Sequence, residues 1–311
     1  MAFAFVFPGQ GSQSLKMMDG LLGYDAVHEV FNTAKTVLGV NFLAMLNEDT
    51  ADNINQTVNT QPLMLVSGYA AYQAWLAQGG KLPQIMAGHS LGEWTALVAS
   101  GVIDFADALN LVMIRATAMQ DAVAPGDGAM AAVMGLDDDT INRVCEQVAK
   151  DSGGVVAGVN FNSPAQVVIA GDKSSVEAAA AALKDSGAKK VQMLAVSVPS
   201  HCSLMSSASA KLAMALASVK FNSPQIEVLH NFNVETYTDG ELIKQALIKQ
   251  LCQPVLWSKT VGTIASCGIT SIVECGPGKI LSGLNKRINE NLVSYNLRNT
   301  DEFAKALAEL A

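Results

Sequence analysis

Apolar and polar residues alternate in blocks along this chain, with a rhythm that predicts strands and helices in turn. Phe3–Phe7 is an unbroken apolar run of the length of a strand buried on both faces. Pro8-Gly9-Gln10-Gly11-Ser12-Gln13 follows it as a polar loop. Residues 24–38 place apolar side chains at helical spacing and stop at Gly39. A second helix is predicted from a Thr60 cap, with Pro62 in its first turn and Gly79-Gly80 at its end. The apolar segment 82–87 predicts a strand and residues 93–101 a helix closing at glycine. Asp104 is placed to cap a further helix carrying Leu109, Val112, Met113 and Ala116, which runs to about Asp121.

The pattern changes at Pro125-Gly126-Asp127-Gly128. Beyond it the chain predicts strand 129–134, helix 138–150, strand 155–159, a turn over 160–165, strand 166–170, helix 174–186 and strand 189–196. That strand-helix-strand-strand-helix-strand order is the ferredoxin-like split unit. After Pro199 the alternation resumes with helix 203–218, strand 226–231, helices 241–252 and 257–267, and strand 271–274. Cys275-Gly276-Pro277-Gly278 then turns into a helix beginning near Lys279. Strands alternating with helices imply an α/β protein whose large part holds a mostly parallel sheet covered on both faces. The expected division is 1–125 with 198–311 for the large subdomain and 126–197 for the inserted small one.

Composition narrows the partners. The 311 residues carry a net charge of -8, half are hydrophobic and 15% are charged, so a sizeable core is expected and nonspecific nucleic-acid binding is not. Five scattered cysteines include no C-x-x-C pair, which argues against a disulfide framework or a metal site and for a reducing compartment. The apolar N-terminus is too short for a signal-peptide core, and no apolar run reaches membrane-spanning length. A soluble, cytoplasmic protein is expected.

Gly88-His89-Ser90-Leu91-Gly92 is a G-x-S-x-G run between a predicted strand and a predicted helix. That setting lifts a serine hydroxyl out of the backbone, making Ser90 a candidate nucleophile. A serine needs a base, and the chain has four histidines. His28 lies in an early amphipathic helix, His230 at a strand end, and His89 beside Ser90, where neighbouring side chains diverge. His201 follows Ser197-Val198-Pro199-Ser200 at the exit from the insert, where a cleft between subdomains is expected, and is the candidate base. No loop acid stands out as a third member; a backbone carbonyl would orient the imidazole equally well. Arg115, one of four arginines, sits in an apolar helix and needs a partner. That partner is either an internal acid or a substrate carboxylate gripped bidentately. A serine hydrolase shares the nucleophile and base but has no need of Arg115 in its pocket; a carrier-protein-binding module needs neither Ser90 nor His201.

Phe7-Pro8-Gly9-Gln10-Gly11-Ser12-Gln13, Gly88-His89-Ser90-Leu91-Gly92-Glu93, Val159-Asn160-Phe161-Asn162-Ser163-Pro164, Val198-Pro199-Ser200-His201 and Glu274-Cys275-Gly276-Pro277-Gly278 together resemble the bacterial malonyl-CoA:acyl carrier protein transacylases of type II fatty acid synthesis. The likeness spans nearly the whole chain; Trp94 after Glu93 is the nearest departure. It implies an α/β-hydrolase-like large subdomain with an inserted ferredoxin-like small subdomain. It further implies Ser90 as the malonylated nucleophile, His201 as base and Arg115 as partner of the malonyl carboxylate. The backbone amides of Gln10 and Leu91 take the part of the oxyanion hole, and the Gln250 carbonyl that of the histidine-orienting acceptor. Asn160 and Gln61 are expected near the site. The implied substrates are malonyl-CoA and the phosphopantetheine thiol of acyl carrier protein, turned over without a cofactor by a monomer with ping-pong kinetics. Lys189-Lys190 and Lys286-Arg287 are candidate basic pairs for an acidic carrier protein.

Overall fold

The computed structural model describes residues 2–48, 52–196 and 198–311. Its strands are β1 (Phe3–Phe7), β2 (Ile85–Gly88), β3 (Gly128–Met134), β4 (Val156–Ser163), β5 (Gln166–Asp172), β6 (Lys190–Met193), β7 (Glu227–Leu229), β8 (Ser271–Glu274) and β9 (Val293–Asn296). Five of them form an all-parallel sheet in the order β7-β2-β1-β8-β9. The other four form an antiparallel sheet in the order β4-β5-β3-β6. The second order, with helices Asp138–Ser152 and Lys173–Asp185 as crossings, is the ferredoxin-like arrangement.

The central strand β1 shows why the parallel sheet forms. Its side chains alternate between two apolar layers: Phe3, Phe5 and Phe7 enter one core cluster, while Ala4 and Val6 enter another. The phenylalanines meet Tyr72 and Trp75 of helix Thr57–Ala77 edge-on, at centroid separations of 5.5–6.4 Å. On the opposite face, Trp257, Val261 and Ile264 of helix Trp257–Ser266 cover Ala4, Val6 and Ala87. A third cluster, including Val133, Ile141, Ile169, Val176 and Leu183, closes the small sheet against its own two helices.

Several element boundaries differ from the sequence reading. The helix expected to be capped by Thr60 begins at Thr57, with Gln56 as its cap residue, so Pro62 lies inside it. The Thr60 hydroxyl donates instead to the carbonyls of Ile54 and Gln56, and is used inside the helix rather than at its end. The turn predicted over 160–165 shrinks to Pro164 and Ala165, the latter at φ 59°, because Asn160 to Ser163 stay paired with β5 through two register shifts. The last strand of the insert is shorter than 189–196, and helix 203–218 opens with a 3-10 turn, Ser203–Met205. Strand β9 and helices Phe42–Glu48 and Thr300–Leu310 have no counterpart in the sequence reading. Residues 1 and 197, which bound the expected subdomain segments, lie outside the described residues. Among the described residues no helix is long and apolar enough to cross a membrane.

Candidate active site

The turn after β2 is built by two glycines that nothing else could replace. A Cβ on Gly88 would lie 1.9 Å from the Gly92 carbonyl carbon, and one on Gly92 would lie 2.0 Å from the Phe7 carbonyl oxygen. Missing side chains thus let the first turn of helix Gly92–Ala99 press against β1 and fold the chain back sharply. Ser90, between them, is held at φ 51°, a left-handed conformation that is strained for a serine and is found at nucleophile elbows.

Opposite Ser90 stands His201, itself at φ 65° and 3% exposed. Its Nε2 lies 2.7 Å from Ser90 Oγ, and its Nδ1 donates to the Gln250 carbonyl oxygen at 2.7 Å. With Nδ1 carrying the proton, Nε2 is left as the acceptor for the serine hydroxyl. The group at Nδ1 is thus a backbone carbonyl, and no carboxylate bonds to the ring among the described residues. Burial, assisted by the Arg115 cation, pulls the His201 pKa down to about 3, so the ring is neutral at physiological pH.

Arg115, on helix Phe105–Asp121, is 1% exposed. Its Nη1 donates to Gln61 Oε1 at 2.5 Å, and its Nη2 to Gln250 Oε1 at 3.0 Å and Ser90 Oγ at 3.5 Å. Its Nε has no hydrogen-bond partner among the described residues. All these acceptors are neutral, and no ion pair to Arg115 is found among the described residues. The internal acid considered for this arginine is therefore not found among the described residues. Burial lowers its pKa to about 10, with the Glu93 charge opposing, which leaves a cation without an adjacent counter-ion.

These groups face one cleft of about 500 Å³ between the two sheets, lined also by Gln10, Gln61, Leu91, Met119 and Asn160. Asn160 sits at a register shift of β4 with its Oδ1 buried and without a hydrogen-bond partner among the described residues. The backbone N–H groups of Gln10 and Leu91 make no hydrogen bond among the described residues. Leu91 also precedes the helix starting at Gly92, whose N-terminal end favours an anion.

Comparison with known proteins decides the family. Residues 4–304 match the family model described as acyl transferase domain. The chain is 50% identical over 306 residues, 98% of each chain, to the malonyl CoA-acyl carrier protein transacylase of Escherichia coli K12. It superposes on the solved transacylase of Coxiella burnetii with a TM-score of 0.97, at 41% identity, covering 100% of this chain and 98% of the other. A malonyl-transacylase solved in complex with a holo type II PKS acyl-carrier protein gives a TM-score of 0.97 at 45% identity, covering 99% and 100%. The chain belongs to the malonyl CoA-acyl carrier protein transacylase family.

Within this transacylase fold the remaining histidines have structural places. His89 Nε2 lies 2.8 Å from Asn162 Oδ1, and the ring packs against Trp257, so it ties the elbow to the insert. His230 is buried on Glu93, and His28 meets the Leu22 carbonyl. Neither basic pair lines the cleft, and Arg287 Nη1 donates to Gln166 Oε1 at 2.6 Å across the two subdomains. Asn231 and Glu93, both buried beside the elbow, escaped the sequence reading as site residues. Glu93 did carry a signal, as the one charge in the apolar helix Gly92–Ala99, the same signal that exposed Arg115.

Proposed function

We propose that this protein transfers the malonyl group of malonyl-CoA to the phosphopantetheine thiol of acyl carrier protein, supplying malonyl carrier for fatty acid elongation. One observation carries the reading: a buried guanidinium with no carboxylate partner among the described residues lies 3.5 Å from the hydroxyl of a serine that is itself hydrogen-bonded to a neutral histidine. A malonyl thioester has a carboxylate one methylene from its thioester carbonyl, which matches that short separation. The names of the relatives support the same substrates.

His201 Nε2 takes the Ser90 proton as Oγ attacks the thioester carbonyl, and the C=O electrons move onto oxygen. The N–H groups of Gln10 and Leu91 stabilise that oxyanion; one such donor contributes about 10²–10³ in rate. The tetrahedral intermediate collapses, the C–S bond breaks, and His201 returns the proton to the coenzyme A thiol. The carrier thiol then attacks the malonyl-serine ester by the same steps in reverse, which gives ping-pong kinetics. A carboxylate on Arg115 neutralises the cation that depresses His201, so binding the correct acyl group strengthens the base. No step calls for a cofactor, and the enzyme works as a cytoplasmic monomer in this reading.

The test is the intact mass of the protein after brief exposure to malonyl-CoA, with free malonate measured in parallel. A malonyl adduct on Ser90, discharged by holo carrier protein, is expected. Rapid release of malonate without carrier protein would instead identify a hydrolase.

A further inference from the structure

Beyond the Glu93 N–H, which donates to the Ser90 carbonyl at 3.1 Å, the strained backbone of Ser90 is gripped by side chains. Asn231 Oδ1 accepts from the Ser90 N–H at 2.7 Å, while Asn231 Nδ2 donates to the Gly88 carbonyl at 2.6 Å. One amide therefore spans the elbow from strand end to nucleophile. From the other side, Gln250 Nε2 donates to the Ser90 carbonyl at 3.0 Å.

Both grips rest on Glu93. Its Oε2 accepts from the Asn231 backbone N–H at 3.0 Å and from Gln250 Nε2 at 2.8 Å, and its Oε1 accepts from His230 Nδ1 at 2.6 Å. The residue is 0% exposed, and its place in the first turn of helix Gly92–Ala99 suits an anion. A carboxylate only accepts, so it forces the NH₂ of Gln250 to turn inward and the amide oxygen to face Arg115 Nη2. Reversing that amide would set its hydrogens against the guanidinium and leave Glu93 unsatisfied. The same Gln250 lends its main-chain carbonyl to His201.

We propose that Glu93 is a positioning residue: through Asn231 and Gln250 its buried carboxylate sets the pose of Ser90 and keeps the acceptor face of Gln250 on Arg115. The assignment rests on Ser90 being the nucleophile, and it adds a group that never touches substrate. A misplacement of the nucleophile by an ångström costs on the order of 10²-fold.

The experiment compares Glu93→Gln with the parent enzyme in single-turnover acylation by malonyl-CoA, by acetyl-CoA and by a fluorophosphonate that reacts with activated serines. Titration of reactive sites gives the active fraction. The expected result is a full active fraction, an acylation rate constant lower by roughly 10²-fold with all three reagents, and a KM raised for malonyl-CoA but not for acetyl-CoA, because Arg115 loses the Gln250 acceptor. A parent rate constant on a reduced active fraction would show that Glu93 only supports the fold, and overturn the proposal. If Glu93→Gln does not fold, Asn231→Ala decides: an equal loss in rate constant supports the grip, and parent rates refute it. A parent enzyme that reacts with the fluorophosphonate but not with malonyl-CoA would sink the malonyl reading while leaving the Glu93 comparison readable through the probe.

Discussion

Arg115 Nη2 and Ser90 Oγ stand 3.5 Å apart at the floor of the cleft, so a carboxylate held by the arginine places a carbonyl within reach of the serine. The guanidinium donates there to the neutral amides of Gln61 and Gln250 rather than to an acid. Two amide acceptors hold it in place without cancelling its charge.

Arg115→Ala should therefore act on selectivity before rate. Loss of one partner of a desolvated ion pair costs about 3–5 kcal/mol. Malonyl transfer is expected to collapse, while acetyl transfer, with no carboxylate to leave unpaired, falls less or rises. Parallel kcat/KM measurements with both thioesters check this; equal losses in a folded variant would make the arginine structural.

Ser90→Ala removes the attacking oxygen and should abolish the mass adduct while the protein stays folded. His201→Ala keeps the serine but removes the acceptor 2.7 Å away, and acylation should slow by roughly 10²–10⁴. Stopped-flow measurement of the first half-reaction decides it. Transfer at the parent rate by the His201 variant would end the Ser-His mechanism.

Stability should fall on the acid side. His201 and His89 both have folded pKa values below the ordinary histidine value, chiefly because burial disfavours their charged forms. The unfolded chain then binds more protons below about pH 6.5, so their stabilising contribution is complete above that value and is lost as pH falls toward the folded pKa. The slope is at most about 1.4 kcal/mol per pH unit for each proton taken up. Denaturant melts between pH 7.5 and pH 5 should show the loss, and His201→Ala should flatten it in part. An unchanged slope in that variant would mean that His201 titrates normally.

Gly92→Ala tests the elbow itself. The added methyl would meet the Phe7 carbonyl oxygen at 2.0 Å, a backbone atom that cannot move without shifting β1. Overpacking of this kind costs about 1–3 kcal/mol. A lower melting temperature together with loss of serine acylation is expected. Parent stability with parent activity would show that the close approach is dispensable.

The sequence by itself determined most of the elements, though not β9 or helices Phe42–Glu48 and Thr300–Leu310, and it marked the candidate residues for chemistry. The apolar run of β1, the Asp104 cap, whose side chain accepts from the Ala106 N–H, and the βαββαβ order all follow from local pattern. Ser90 was legible because glycines mark a turn, and Arg115 because a lone charge in an apolar helix demands a partner. Pattern did not reveal that Thr60 bonds backward inside its helix, or that Asn160 to Ser163 remain in a strand, since both depend on what lies alongside. Nor could it choose between an acid and a backbone carbonyl behind His201. Gln250 reaches that nitrogen across 49 positions of chain, and Asn231 reaches Ser90 across 141. Hydrogen bonds of that span are fixed by how the two sheets and their covering helices pack. Only the tertiary structure, which brings Glu93, Asn231 and Gln250 around one strained serine, decided how the site is held.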